Sequence, residues 1–202
     1  MIWLVGNRGM LGTEVQRCLQ ARNIDCVATD LDVDIADEQA LGIFSRSLAP
    51  SWIVNCSAYT AVDRAEDEPK LAFRINAEGV RNLALLARRK KARFLHISTD
   101  YVFDGLKTGA YLESDKPNPL GVYGRSKLQG EEHIINTLDT YVILRTAWLY
   151  GPHGNNFVRT MLKLFQVRDE VGIVCDQWGS PTLAGDLSDV IVRIVTGGSV
   201  PF

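Results

Sequence analysis

Five short runs limit what this chain can fold into: Ile2–Val5, Cys26–Thr29, Trp52–Cys56, Arg93–Ser98 and Tyr141–Arg145. Each is rich in β-branched or aromatic residues and apolar on both faces. A strand of that kind must be covered from above and below, which is the situation of a parallel sheet between helical layers. Helical patterns fill the intervals, over Leu11–Gln20, Glu38–Leu48, Pro69–Arg89 and Leu120–Asn136. In the third, Leu71, Ile75, Leu83, Leu86 and Ala87 recur at mixed three- and four-residue spacing, an apolar stripe on one face. Strand–helix alternation predicts a doubly wound α/β fold, its parallel strands joined by right-handed crossovers. After Thr146 the pattern loosens. A helix is expected over Asn156–Phe165, a strand over Val171–Cys175 and a helix over Ala184–Val195, with loops at Pro152, Gly154, Gly179 and Pro181. There is no internal repeat and no low-complexity segment.

A length of 202 residues accommodates one full domain and part of a second. With 46% hydrophobic and 23% charged residues, the composition is that of a globular protein with a sizeable core. A formal net charge of -2 argues against nucleic acid as a partner, because phosphate binding needs an excess of clustered Lys and Arg. The run Arg88-Arg89-Lys90-Lys91 reads instead as a solvated helix end that complements the dipole. The cysteines Cys18, Cys26, Cys56 and Cys175 form no Cys-x-x-Cys pair, and with three histidines in the chain no metal site is expected. They read as small buried hydrophobes. Neither a signal peptide nor a membrane-length apolar stretch is recognisable, so the expected location is the cytoplasm, with no membrane partner.

The first run leads into Gly6-Asn-Arg-Gly9-Met-Leu-Gly12, and a helical pattern follows. That placement suits dinucleotide binding in a Rossmann-like fold. Gly6 permits the tight turn, Gly9 lets a pyrophosphate approach the backbone, and Gly12 lets helix and strand pack closely. A tight βα turn with no ligand is the alternative. Asp30, at the end of the second run, could accept hydrogen bonds from adenosine ribose hydroxyls, favouring NAD(H). Arg8 could pair with a 2′-phosphate, favouring NADP(H). Asp34 and Ile35 could meet the adenine edge, or Asp34 could simply be a turn residue.

Tyr123-Gly-Arg-Ser-Lys127 places a phenol and an ammonium four residues apart, on one face of a helix. Lys127 would lower the phenol's pKa, and Tyr123 would give its proton to a carbonyl. Thr99 ends the fourth run, where ligands of an open parallel sheet sit, and is placed to hydrogen-bond that carbonyl. Taken alone, it could equally be a turn former. Glycine loop, strand-end hydroxyl and Tyr–Lys pair in this order point to a carbonyl reductase.

These residues resemble the extended short-chain dehydrogenase/reductases, and more narrowly the dTDP-4-dehydrorhamnose reductase family. The resemblance rests on Ser98-Thr-Asp-Tyr-Val-Phe-Asp-Gly105, Pro119-Leu-Gly-Val-Tyr-Gly-Arg-Ser-Lys127 and Asn55-Cys-Ser-Ala-Tyr-Thr-Ala-Val-Asp63. Further matches are Arg145-Thr-Ala-Trp-Leu-Tyr-Gly151, Gly154-Asn-Asn-Phe157 and Asp176-Gln-Trp-Gly-Ser-Pro-Thr182. It implies Thr99, Tyr123 and Lys127 as catalytic residues. It implies contacts of Gly9, Met10 and Leu11 with the pyrophosphate, of Asp30, Asp34 and Ile35 with the adenosine half, and of Ser57, Ala58 and Tyr59 with the cofactor. Asp100, Tyr101 and Trp148 match positions that meet the nucleotide sugar. The family uses NADPH or NADH. Some members hold Mg²⁺ at a dimer contact through an acidic residue at the place of Glu14, so Mg²⁺ and a homodimer are within its range, although a plain surface Glu is the preferred reading here.

The implied layout is a dinucleotide-binding and catalytic domain over 1–150, and a partial substrate-binding lobe over 151–202 that is shorter than the family's. Gly121 departs from the Asn common at that place. The expected reaction is reduction of the C4 ketone of dTDP-4-dehydro-6-deoxy-L-mannose to dTDP-L-rhamnose. Dehydratase relatives carry an Asp-Glu pair after the strand-four hydroxyl, whereas Asp100 here precedes Tyr101. Two alternatives stand beside it. One is a reductase or epimerase for another nucleotide sugar. The other is a non-catalytic NADP-binding regulatory subunit, like the β subunit of methionine adenosyltransferase.

Overall fold

The computed structural model describes residues 1–197, so the last five residues of the expected second lobe lie outside the described ones. Five parallel strands form the central sheet: β1 (Ile2–Val5), β2 (Cys26–Thr29), β3 (Trp52–Asn55), β4 (Arg93–Thr99) and β5 (Tyr141–Thr146). Their spatial order is β2-β1-β3-β4-β5. The chain leaves β1 toward one edge and returns past it to β3, so a crevice opens above the carboxyl ends of β1 and β3, where such sheets bind ligands.

Alternation along β1 shows why both faces had to be apolar. Trp3 and Val5 join a core cluster with Leu41 of α2 (Glu38–Ser45), with Val80, Leu83 and Leu86 of α5 (Val80–Lys90) and with Ile134 of α6 (Val122–Ile135). Ile2 and Leu4 face the other way. They pack with Leu11, Val15 and Leu19 of α1 (Met10–Ala21) and with Ile191, Val192 and Val195 of α8 (Ala184–Thr196). Helix α8 comes from the segment assigned to the second lobe, yet it buries its apolar face in the core of the main sheet. The Trp3 indole N–H donates to Thr29 Oγ1 at 3.0 Å, so this buried polar group is satisfied.

The predicted helix over Pro69–Arg89 is built in three pieces: α4 (Pro69–Phe73), a π-turn segment (Arg74–Gly79) and α5. A further short helix, α3 (Val62–Asp67), precedes it. Widened turns of this kind tend to mark functional sites. Helix α5 ends with Arg88, Arg89 and Lys90 in its last turn, as the basic run suggested, and stops at Lys91 in the left-handed region (φ 54°).

One expected element is missing. Val171–Cys175 forms no strand; Ile173 and Val174 are exposed and no neighbouring strand pairs with them. Apolar composition cannot make a strand where no ladder partner is present. Two very short strands, β6 (Leu149–Tyr150) and β7 (Thr182–Leu183), instead pair parallel to each other. Helix α7 (Phe157–Leu164) lies between them and buries none of its residues. No helix among the described residues is long and apolar enough to cross a membrane. Of the four cysteines, three are half-buried, Cys175 is exposed, and none is in a disulfide.

Candidate active site

The glycine loop joins β1 to α1 at the crevice. Gly6 has φ 83°, and a Cβ there would lie 2.6 Å from the Ser57 backbone nitrogen, so the turn and the end of β3 can meet only at glycine. A Cβ on Gly12 would overlap the Gly6 carbonyl oxygen, which is the helix-to-strand closeness expected of the third glycine. Gly9 differs from both. Its φ of -68° suits any residue, and a Cβ would meet nothing nearer than the Gly6 carbonyl oxygen at 3.4 Å. The protein itself does not require glycine at Gly9, so the space in front of it suits an approaching ligand.

Gly9 caps α1 without a side-chain hydrogen bond, and no acidic residue occupies the first turn. The amides at the helix start therefore present their donors and the positive end of the dipole to that space. A pyrophosphate fits this cradle.

Asp30 has a task that spacing did not reveal. Its Oδ2 accepts from the Arg8 backbone N–H at 2.9 Å and its Oδ1 from Leu31 N–H at 2.9 Å, tying the second strand's end to the loop. The Arg8 guanidinium is exposed and 3.8 Å from Asp32. Asp34 forms an ion pair with Arg74 and accepts from Ala36 N–H. The side chain of Ile35 turns into the core, where it fills the space over Gly79. It is therefore not a side chain offered to an adenine edge. Ser57, Ala58 and Tyr59 follow β3 beside Gly6. Tyr59 exchanges both its backbone groups with the Asn76 amide of the π-turn segment, at 2.9 and 3.0 Å.

Helix α6 carries Tyr123 and Lys127. Glu66 of α3 caps it, accepting from the Val122 N–H at 2.6 Å; Gly121, lacking a side chain, leaves that task to Glu66. A Cβ on Gly124 would overlap the Tyr101 carbonyl oxygen, so the glycine after Tyr123 lets α6 press against the turn after β4. Thr99, at the end of β4, lies near enough to the Tyr123 phenol for its hydroxyl to draw the phenol's pKa down against burial. The same hydroxyl donates to Asp100 Oδ1 at 3.0 Å. The ring of Tyr101 meets that of Tyr123 edge-on, with centroids 5.6 Å apart. Burial pushes the Asp100 carboxyl above its ordinary pKa, and the Thr99 hydroxyl partly offsets this.

Trp148 is half-exposed and lies against Gly179. Its φ of 47° is strained for a bulky side chain, a cost usually tolerated where function fixes the conformation.

The relation between Tyr123 and Lys127 departs from the expectation. Burial governs the phenol and pushes it up to about 12, against the spacing argument that Lys127 draws it down. The Lys127 amine is turned inward instead. Its Nζ donates to the Ile97 carbonyl oxygen at 2.7 Å and lies 3.1 Å from His96 Nε2. Burial pushes Lys127 down to about 8, with the Glu131 carboxylate and then the Cys56 thiol pulling the other way.

Sequence reasoning missed several polar groups here: His96, Asn55, Asn76, Glu66 and the buried Thr146 hydroxyl. Thr146 pairs in register with Thr99 and has no hydrogen-bond partner. Asn55, His96 and Asn76 are fully buried. Among the described residues no cluster of three or more His, Cys, Asp or Glu is arranged to hold a metal. Glu14 lies 3.6 Å from Arg17 and 3.2 Å from His153.

The profile of the RmlD substrate binding domain family matches residues 1–200. The chain belongs to that family. It is 42% identical over 193 residues to the dTDP-4-dehydrorhamnose reductase of Aggregatibacter actinomycetemcomitans, covering 95% of this chain and 66% of the relative. It is 43% identical over 200 residues to the dTDP-4-keto-6-deoxy-D-glucose reductase of Streptomyces niveus, covering 98% of this chain and 69% of the relative. The solved dTDP-4-dehydrorhamnose reductase of Bacillus anthracis, in complex with NADP, superposes with a TM-score of 0.93 at 39% identity, covering 96% of this chain and 70% of that one. The chain thus spans about two thirds of the length of the relatives it matches.

Proposed function

We propose that this chain carries the dinucleotide site and the catalytic residues of an NAD(P)H-dependent reductase. Its substrate is the C4 ketone of a dTDP-linked 4-keto-6-deoxy sugar, first of all dTDP-4-dehydro-6-deoxy-L-mannose, which becomes dTDP-L-rhamnose. The observation that carries the reading is the packing of the Tyr123 helix against the turn that follows Thr99 at the carboxyl end of β4, where Tyr101 and Tyr123 meet edge-on, in the sheet whose β1 end carries the glycine cradle.

The amides at the start of α1, with Gly9, hold the pyrophosphate, while Ser57 and Ala58 line the crevice. A bound NAD(P)H supplies the hydride. Tyr123 supplies the proton: with its phenol pushed up to about 12 it is fully protonated at neutral pH, the state a donor needs. Tyr123 would give that proton to the carbonyl oxygen and take another from solvent. Thr99 turns its hydroxyl from Asp100 to the same oxygen and orients it. Asp100, Tyr101 and Trp148 face the sugar nucleotide.

The relative from Streptomyces niveus, named for a D-glucose-series ketosugar, matches as well as the rhamnose-series relative does. A D-gluco 4-ketosugar is therefore the second substrate to try. The test is NADPH consumption with both ketosugars, for the parent and for Tyr123→Phe. Removing the phenolic proton should lower turnover by about 10²–10⁴-fold with cofactor binding retained. A Tyr123→Phe chain as fast as the parent would overturn this mechanism. A parent that binds NADP(H) but reduces neither sugar would favour the regulatory-subunit reading.

A further inference from the structure

A buried chain of hydrogen bonds runs from the end of β3 to Lys127, and its donors and acceptors can be counted. It starts at a group that cannot be inverted, the Ser57 backbone N–H, which donates to Asn55 Oδ1 at 3.0 Å. The Ser57 hydroxyl donates to the same oxygen at 2.6 Å. Asn55 therefore presents its amide nitrogen, a donor only, to His96 Nδ1 at 3.0 Å. Nδ1 must accept, so a neutral imidazole carries its proton on Nε2. That proton points at Lys127 Nζ, 3.1 Å away. An ammonium has three donors and no acceptor, whereas an amine keeps a lone pair and still has an N–H for the Ile97 carbonyl.

We propose that Ser57, Asn55 and His96 are positioning residues that favour the neutral amine of Lys127 over its ammonium. Every other assignment sets two buried donors face to face. Flipping Asn55 opposes its NH₂ to the Ser57 N–H, moving the imidazole proton to Nδ1 opposes it to Asn55, and an ammonium opposes Nε2–H. A buried group left unsatisfied costs about 1–3 kcal/mol.

The titratable groups around Lys127 agree. His96 is itself pushed well below its ordinary pKa, by burial and then by Lys127. Cys56 is pushed up to about 12 by burial, so it adds no negative charge near neutrality. Glu131, one turn along α6, is engaged by Arg145 at 2.6 Å and by the Ser98 hydroxyl at 2.5 Å. Tyr123, one turn back, is a neutral phenol. If the reductase reading holds, a Lys127 ammonium weakened in this way draws less on the Tyr123 proton; the bias on Lys127 itself does not depend on that reading.

The test is a long-range ¹H–¹⁵N spectrum of the chain labelled in its histidine rings, recorded without dinucleotide or sugar. Only His96, His133 and His153 contribute, and the surface variants His133→Asn and His153→Asn assign the signals by elimination. His96 should be a neutral Nε2–H tautomer throughout the range of about pH 5–8, in which ordinary histidines titrate. An Nδ1–H tautomer or an imidazolium near neutrality would overturn the proposal. Asn55→Asp supplies a second arm, because a carboxylate only accepts. It should draw the proton to Nδ1, leave Nε2 as an acceptor and raise the Lys127 titration, read from its ¹⁵Nζ signal, by about one pH unit or more. The added charge alone would also raise Lys127, so the tautomer decides: a folded Asn55→Asp chain still in the Nε2–H form overturns the proposal. Should that variant not fold, the parent spectrum decides by itself. A failed reductase assay changes neither outcome.

Discussion

Replacing Lys127 by Met separates the cost of burying this amine from its chemical role. The folded chain holds Lys127 at about 8 against an ordinary 10.5, through burial first. At about 1.4 kcal/mol per pH unit, that difference costs the fold about 3 kcal/mol at neutral pH. The sign follows from proton counting. Between about 8 and 10.5 the unfolded chain binds more protons than the folded one, so stability rises with pH through that window and is lost as pH falls back through 8. Methionine keeps the apolar stem of the side chain, one atom short of the amine, and abolishes the titration. It also leaves the Ile97 carbonyl and the His96 ring without their partner, an opposing cost of about 1–3 kcal/mol per group that does not vary over this window. The net effect at one pH is therefore small and uninformative, and the difference between two pH values is what matters. Urea unfolding of both chains at pH 7 and pH 10 should show the parent gaining roughly 2 kcal/mol on Lys127→Met, since most of the penalty is relieved by then. Groups common to both chains cancel. Parallel pH dependences would refute the claim that Lys127 titrates low in the fold.

Gly9→Val should fold like the parent, because its φ is ordinary and its Cβ space open, yet lose at least about tenfold in NADPH affinity by titration, or 1.4 kcal/mol. Unchanged affinity would remove Gly9 from the cradle. Gly12→Ala should do the reverse, costing about 1–3 kcal/mol of stability through overpacking against the Gly6 carbonyl, read as a lower urea midpoint with the unfolding slope unchanged. Arg8→Ala should weaken NADPH more than NADH, by the roughly 1.5–3 kcal/mol of a hydrogen-bonded charge pair with the 2′-phosphate, because the exposed guanidinium is held only by a long contact to Asp32. Equal losses for the two cofactors would show that Arg8 does not read that phosphate.

The strands of the main sheet were legible because each had to be apolar on both faces, and nothing else in the chain meets that demand so compactly. Cys26–Thr29 was found with its ends correct, and Trp52–Cys56 was one residue too long. The pattern failed after Thr146, where elements are short and weakly buried. Val171–Cys175 has a strand's composition but no ladder partner, while β6 and β7, two residues each, are too short to show any period. The division at residue 150 also reads differently in three dimensions, because α8 returns to the main sheet through Ile191, Val192 and Val195, a long-range pairing that no local pattern encodes.

At the site, the residues legible in the sequence were those whose spacing is itself the signal: three glycines across a turn, and Tyr and Lys one helical turn apart. The groups now seen around them sit where spacing says nothing. His96 interrupts Phe94-Leu-His-Ile-Ser98, and Asn55 closes Trp52-Ile-Val-Asn55, each a polar residue in a strand otherwise read as apolar. That interruption was the available clue. A strand buried on both faces cannot leave a polar side chain unpaired without losing about 1–3 kcal/mol, so a histidine or asparagine within one implies a partner on a neighbouring element. In a parallel sheet β3 and β4 lie side by side, and register places Asn55 opposite His96. What no sequence pattern supplies is the direction of the bonds. That depends on the Ser57 N–H at one end and on the depth of Lys127 at the other, which are properties of the folded crevice.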